Sequence, residues 1–269
     1  VPELFAVAAE QYLPVADSVE DPAERGMVVW LLRRAADQAR LTGDYTLVSA
    51  LLTAALRLIE PGQTDELVEV RTGRHAALYS IGRLDDADEE YRAIARLSPT
   101  TLQRADATCV QVRSLTQRNR FAEALSIGLD SLRELGTAVP AADRLPAELE
   151  HQFDFLFRWL DTTQVDNDLA RGITDRTLLA ATRLSQAVLP VTYFVADLSL
   201  YAWLSLEALR MWLEHGPERT LLGPASAAAS GAVALRGEYA AGYQALRRLV
   251  ALGEARGYEP DTSQARFNF

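Results

Sequence analysis

The chain has 269 residues, 49% of them apolar, and a formal charge of −10 at neutral pH, so it can bury a sizeable core and is not a disordered segment. All 27 basic residues are arginine, as a GC-rich genome tends to produce, which removes the lysine that a P-loop, a protein kinase or a pyridoxal enzyme needs. The acidic surplus, with no arginine-dense block, argues against direct contact with nucleic acid.

Ala and Leu dominate while Val, Ile and Thr are scattered, a balance that favours helix over strand. The opening VPELFAVAAEQYL has neither a basic leader nor an initiator methionine, so the expectation is an internal fragment without a signal peptide. Four turn phrases follow along the chain: Gly43-Asp44-Tyr45, Gly82-Arg83-Leu84, Asn119-Arg120-Phe121 and Gly237-Glu238-Tyr239. In each, a residue tolerant of left-handed backbone precedes a polar residue and a large apolar one, which predicts two antiparallel helices joined there. The spacings are 39, 37 and 118 residues. The last is close to three times 39, which predicts two degenerate units between Asn119 and Gly237.

Small residues recur where helices of such a stack would cross closely: Ala36 and Ala55, then Ala87 with Tyr91, then Ala124, then Gly242. Pro99 closes the second unit, and with Ala87 and Tyr91 it fits the tetratricopeptide pattern. The predicted fold is all-α: a tetratricopeptide-like right-handed superhelix of antiparallel helix pairs, an α-solenoid of about 12 helices. Its expected organisation is a first region over 1–136, with units near 29–60, 68–99 and 105–136. Degenerate repeats continue over 145–269, with a final unit near 223–254. The segment 136–146 is the best linker candidate. Beyond it the pattern predicts helices over 146–162, from Asp175 to about Val188 with Pro190 breaking the run, and from Asp197 to Glu214. The apolar stretch 187–213 is interrupted by Pro190, Asp197, Glu207 and Arg210, so it reads as a buried helix and not a membrane span.

The sequence offers no catalytic constellation. No phosphate-cradling glycine loop or G-x-S-x-G phrase occurs, and His75, His151 and His215 lack metal-ligand spacing. Asp161, Asp166, Asp168 and Asp175 lack the glycine and bidentate glutamate of a calcium loop and read as a solvated bend with helix caps. Glu148 and Glu150 fit the start of a helix. Cys109 has no disulfide partner and reads as a small core residue in a cytoplasmic protein. No catalytic residue, metal or cofactor is expected.

Binding surfaces are more promising. In tetratricopeptide register, the inward positions of the first helices are Trp30, Arg33, Asp37 and Arg40, then Glu69, Thr72, Ala76 and Tyr79, then Asp106, Cys109, Arg113 and Thr116. A mixed groove with arginines suits a peptide bearing acidic and apolar anchors. An aromatic-dense stretch offers Phe155, Trp159, Tyr201 and Trp212 either as core or as an apolar pocket for a small-molecule inducer or partner helix.

Several phrases resemble the helical region that follows the P-loop ATPase module in large bacterial multidomain signalling proteins. These proteins carry a serine/threonine kinase or DNA-binding output, and some a sensor histidine kinase. The phrases are DPAER (21–25) with Ala35-Ala36, FAEALSIGLDSLRELG (121–136), ITDRTLLAATRLSQAVLP (173–190), LEHG (213–216) and GEYAAGY (237–243). The resemblance implies a regulatory platform that docks a protein or peptide segment, one from another domain of its own chain included, between a nucleotide-driven switch and an output. It implies, alternatively, an inducer sensor like that of ATPase regulators related to the maltose activator. The ATPase, kinase and DNA-binding portions are absent, so the resemblance supplies no catalytic residue, and Arg266-Phe267-Asn268-Phe269 falls where the family's helical run would continue.

Overall fold

The computed structural model describes residues 2–161 and 172–267. Every regular element among them is a helix: α1 Pro2–Tyr12, α2 Pro22–Leu41, α3 Tyr45–Leu58, α4 Thr64–Ser80, α5 Leu84–Arg96, α6 Thr101–Gln117, α7 Phe121–Glu134, α8 Leu145–Asp161, α9 Arg176–Phe194, α10 Leu198–His215, α11 Arg219–Arg236, α12 Tyr239–Arg256 and α13 Asp261–Phe267, with a 3₁₀ turn at Ala16–Ser18. The fold is all-α and of the helical-repeat kind. Among the described residues, no helix is long and apolar enough to cross a membrane. The chain divides into two compact units, 1–114 and 115–269, and the division falls inside α6 and not in the loop after α7.

In the first unit successive helices pack in chain order, α1 on α2, α2 on α3, α3 on α4 and α4 on α5. Asp21 and Asp44 start α2 and α3 by accepting the Glu24 and Leu47 amides at 2.9 and 3.0 Å, which satisfies donors the helix itself leaves open. Helix α2 buries Val28, Leu32, Ala35, Ala36 and Ala39 against Leu51, Ala55 and Leu58 of α3. Alanine at these crossings lets the two axes approach closely.

The turns between paired helices share one geometry. Gly43, Gly82 and Asn119 have φ of 77°, 78° and 58°. The amide of Gly43 bonds the Arg40 carbonyl and that of Asp44 bonds the Ala39 carbonyl; the pairs at 82/79 with 83/78 and at 119/116 with 120/115 repeat this. A further copy, not visible in the sequence, joins α9 to α10: Ala196 has φ 57°, its amide bonds Tyr193 and that of Asp197 bonds Thr192. Alanine in this region carries a steric penalty that glycine avoids. Ala196 is exposed, so nothing else holds its side chain. Ala196→Gly should therefore stabilise the second unit by about 0.5–1 kcal/mol, the relieved strain less the added freedom of the unfolded chain. The check is a rise in the urea midpoint at unchanged slope.

In the second unit α11 is buried on most faces, from Leu221 to Ala232, and packs against α9, α10, α12 and α13. Its Ala, Ser and Gly content permits this. A Cβ on Gly242 of α12 would lie 2.9 Å from the Ala229 carbonyl oxygen, and one on Gly231 would lie 3.1 Å from the Ala202 Cβ. Two features depart from the sequence reading. Helix α9 runs through Pro190 to Phe194. Pro190 is exposed, so the carbonyl it cannot serve, one turn back on the same face, can be hydrated. The second departure is the order of packing. Helix α7 packs directly against α9, whereas α8 lies on α10 and touches α12. A continued repeat would have put α8 beside α7.

What seats α8 is legible in its contacts. Leu149, Gln152, Phe153, Leu156 and Trp159 form its buried face. Gln152 donates to Glu207 of α10 at 2.9 Å, and Arg210 grips the same buried carboxylate through Nε at 2.8 Å and Nη2 at 2.6 Å. That pairing holds the Arg210 guanidinium still more firmly protonated than usual. Glu207 is thus a buried, paired residue within the stretch whose charges argued against a span.

Candidate binding groove

The first helices of the repeats bring their inward positions to one place. Arg33, Asp37 and Arg40 share a face of α2 at helical spacing, and Glu69, Thr72, Gly73 and Ala76 share one of α4. With Asp106 and Val110 of α6, and with Tyr45, Val48 and Leu52 of α3, they line a hollow of about 480 Å³ in the first unit. A Cβ on Gly73 would sit 3.0 Å from Leu52 Cδ1, so α3 and α4 are in close contact beneath it.

The charges here are internally matched. Arg33 pairs with Glu66 at 3.0 Å and Glu69 at 2.5 Å, and Arg40 pairs with Asp37 at 3.1 Å. The acidic peptide anchor expected from the arginines therefore meets guanidiniums already neutralised. Thr72 contributes a hydroxyl that is withdrawn from solvent and has no hydrogen-bond partner. Other inward positions lie apart. Trp30 is 47% exposed and meets Phe5 of α1 edge-on at 5.5 Å, with Arg34 against its ring. Tyr79 and Thr116 are half-buried, Arg113 is exposed and Cys109 is buried.

Polar contacts hold α4, α5 and α6 together. Glu90 of α5 is 4% exposed and receives Arg71 at 2.8 Å and Arg74, while Arg74 Nε also reaches the Thr53 hydroxyl at 2.9 Å. His75 is fully buried, its Nε2 3.1 Å from Gln111 Oε1, and Gln111 in turn donates to Asp88 at 2.6 Å. His75 Nδ1 has no partner. Since the Gln111 oxygen only accepts, Nε2 carries the proton and Nδ1 the bare lone pair.

Burial pushes the His75 pKa down to about 4, against the raising effects of Gln111 and Asp88. A histidine depressed in the fold contributes its stability above the unfolded value near 6.5 and loses it as pH falls toward 4. The expected loss across that window is about 3 kcal/mol. Denaturant titrations at pH 7.5, 5.5 and 4.5 should show the wild type approaching His75→Gln in stability as the pH drops. A constant difference between the two would contradict this.

The four aromatic residues considered for a pocket are not gathered. Tyr201 and Trp212 stand about 16 Å apart along α10, given 1.5 Å per residue. Trp212 is 1% exposed and meets Tyr258 edge-on, and Trp159 is buried under Arg248, whose Cζ lies 4.5 Å from its ring centroid. Phe155 is half-buried on α8. Tyr201 instead joins Tyr193, Phe194 and Leu198 around a second hollow of about 850 Å³ with an uncharged lining. Phe194 stacks there on Phe121 at 5.4 Å. Among the acidic residues considered for calcium, Asp166 and Asp168 lie outside the described residues, while Asp175 caps α9 by accepting the Thr177 and Leu178 amides. His151 and His215 are exposed beside Glu148 and Glu214. No cluster with metal-ligating composition occurs among the described residues.

No protein-family model matches the chain, and no curated protein does. Among solved structures it is similar to BtubC (BKLC) from P. vanneervenii, with 14% identity over 96% of this chain and 92% of that one, and a TM-score of 0.64. At that identity the likeness is one of fold.

Proposed function

We propose that the chain is a non-catalytic interaction scaffold whose α2–α4–α6 hollow receives an extended peptide segment. The observation that carries this is the convergence of Arg33, Asp37, Glu69, Thr72, Ala76 and Asp106, from three successive first helices, on one concave site with an apolar floor. Together with the resemblance to helical regions behind P-loop ATPase modules, this supports reading the chain as a regulatory platform of a cytoplasmic signalling or transcription-regulating protein. The docked segment would come from another protein or from another domain of the same one.

The test is selection of displayed random peptides against the purified chain, followed by fluorescence anisotropy. Ala76→Phe, which fills the hollow from a half-buried position, should weaken the selected peptides at least tenfold while the helical circular dichroism is kept. Undiminished binding to that variant would place the site elsewhere.

A second reading rests on the uncharged aromatic hollow around Tyr193, Phe194 and Tyr201, whose size suits a small uncharged ligand and thus an inducer sensor. A metabolite raising the melting temperature, and losing that effect in Tyr201→Ala, supports it by mass action.

A further inference from the structure

We infer that the segment received by the α2–α4–α6 hollow is selected for a basic side chain; this rests on the peptide-binding reading above. Three carboxylates, Asp37, Glu69 and Asp106, line the hollow against two guanidiniums, Arg33 and Arg40. Arg33 is further neutralised by Glu66 on the adjoining turn of α4, at 3.0 Å, and Arg40 by Asp37, so Asp37, Glu66 and Glu69 set three acids against these two bases. The guanidiniums are engaged with these acids, while the carboxylates keep lone pairs to spare: Asp37 and Glu69 are 56% and 68% exposed at the side chain. An arriving acidic side chain meets a net negative surface and must break an existing pair. An arriving arginine or lysine joins the network as a further cation between carboxylates and breaks nothing.

The rest of the hollow complements the other parts of such a segment. The small Ala76 side chain lines the hollow and leaves room for backbone to approach. The Thr72 hydroxyl, partnerless in the protein, can turn about χ1 to meet a peptide carbonyl. An uncharged peptide would satisfy Thr72 but leave the acidic surplus unmatched.

The experiment compares three fluorescein-labelled peptides, made from one peptide selected as above, with Arg, Gln or Glu at a single central position. Binding is read by anisotropy at 50 mM and 300 mM salt. The Arg peptide should bind about tenfold more tightly than Gln at low salt and Glu more weakly than Gln, with the spread shrinking at high salt. Glu69→Gln, which leaves Arg33 its Glu66 partner, should narrow the Arg-to-Gln ratio about threefold, and Asp85→Asn on the exposed face of α5 should not. Equal binding of all three, or a preference for Glu, overturns the basic selection and leaves the peptide site standing. Failure of all three to bind, or binding unchanged in Ala76→Phe, overturns the site as well.

Discussion

Glu90→Ala should destabilise the first unit by about 3 kcal/mol or more, the largest effect of any charge removal in it. The carboxylate is 4% exposed, and it is the shared acceptor for Arg71 and Arg74, whose side chains are 28% and 22% exposed. Removing it leaves two cations on α4 held in a half-buried seam against α5. Their partial exposure lets them turn toward water, which keeps the cost near the lower end of the range for breaking a buried pair. Replacing Arg71, Arg74 and Glu90 together by Met should recover most of the loss, because the cost lies in leaving charges unmatched and not in the absence of a salt bridge. Chemical denaturation followed by helical circular dichroism and by Trp30 fluorescence measures both. A single variant within 1 kcal/mol of wild type would contradict the account.

Phe153→Ala should cost about 3–5 kcal/mol in the second unit. Phe153 is 1% exposed, stacks on Phe157 at 6.4 Å and lies under Arg236, whose Cζ is 5.0 Å from its ring centroid. It is central to the face by which α8 sits on α10. Because α8 is an accessory to the stacked pairs and not a member of their sequence, a cavity there cannot be closed by a neighbouring repeat sliding in. Phe155→Ala, at a half-buried position on the same helix, should cost less than half as much. The buried Trp159, Trp203 and Trp212 report unfolding of this unit by fluorescence. Equal costs for the two variants would mean that α8 is seated by another face.

Those two expectations mark where the sequence was informative and where it was not. Gly43, Gly82, Asn119 and Gly237 announced their turns because each tolerates the left-handed backbone observed there. Ala196 gave no such signal, since alanine in that conformation is strained, and a turn built on it cannot be told from helix by composition. The regular spacing of the first two turns carried the register of the inward positions, and Arg33, Asp37, Glu69, Thr72 and Ala76 do share a hollow. Trp30 does not, because Phe5 of α1 meets it, a contact between helices that no repeat pattern encodes.

The seating of α8 was hidden for a related reason. Its apolar stripe is compatible with any apolar neighbour, and the residue that singles out α10, Glu207, is polar. In the sequence Glu207 is simply a charge in an apolar run. In the fold it is the acceptor for Gln152 and Arg210. The charge of the hollow was equally hidden. Arginine at inward positions suggests an anion receptor, until Glu66 and Glu69, in the first and second turns of α4, are seen to reach Arg33 across 33 and 36 residues of sequence.

A peptide docked on α2 and α4 of the first unit shields their backbone amides from solvent, which hydrogen–deuterium exchange with a saturating selected peptide reads out. Added protection is expected in 33–40 and 69–77, and none in Ala76→Phe. Protection confined to 192–201, or none anywhere while anisotropy reports binding, would contradict that docking.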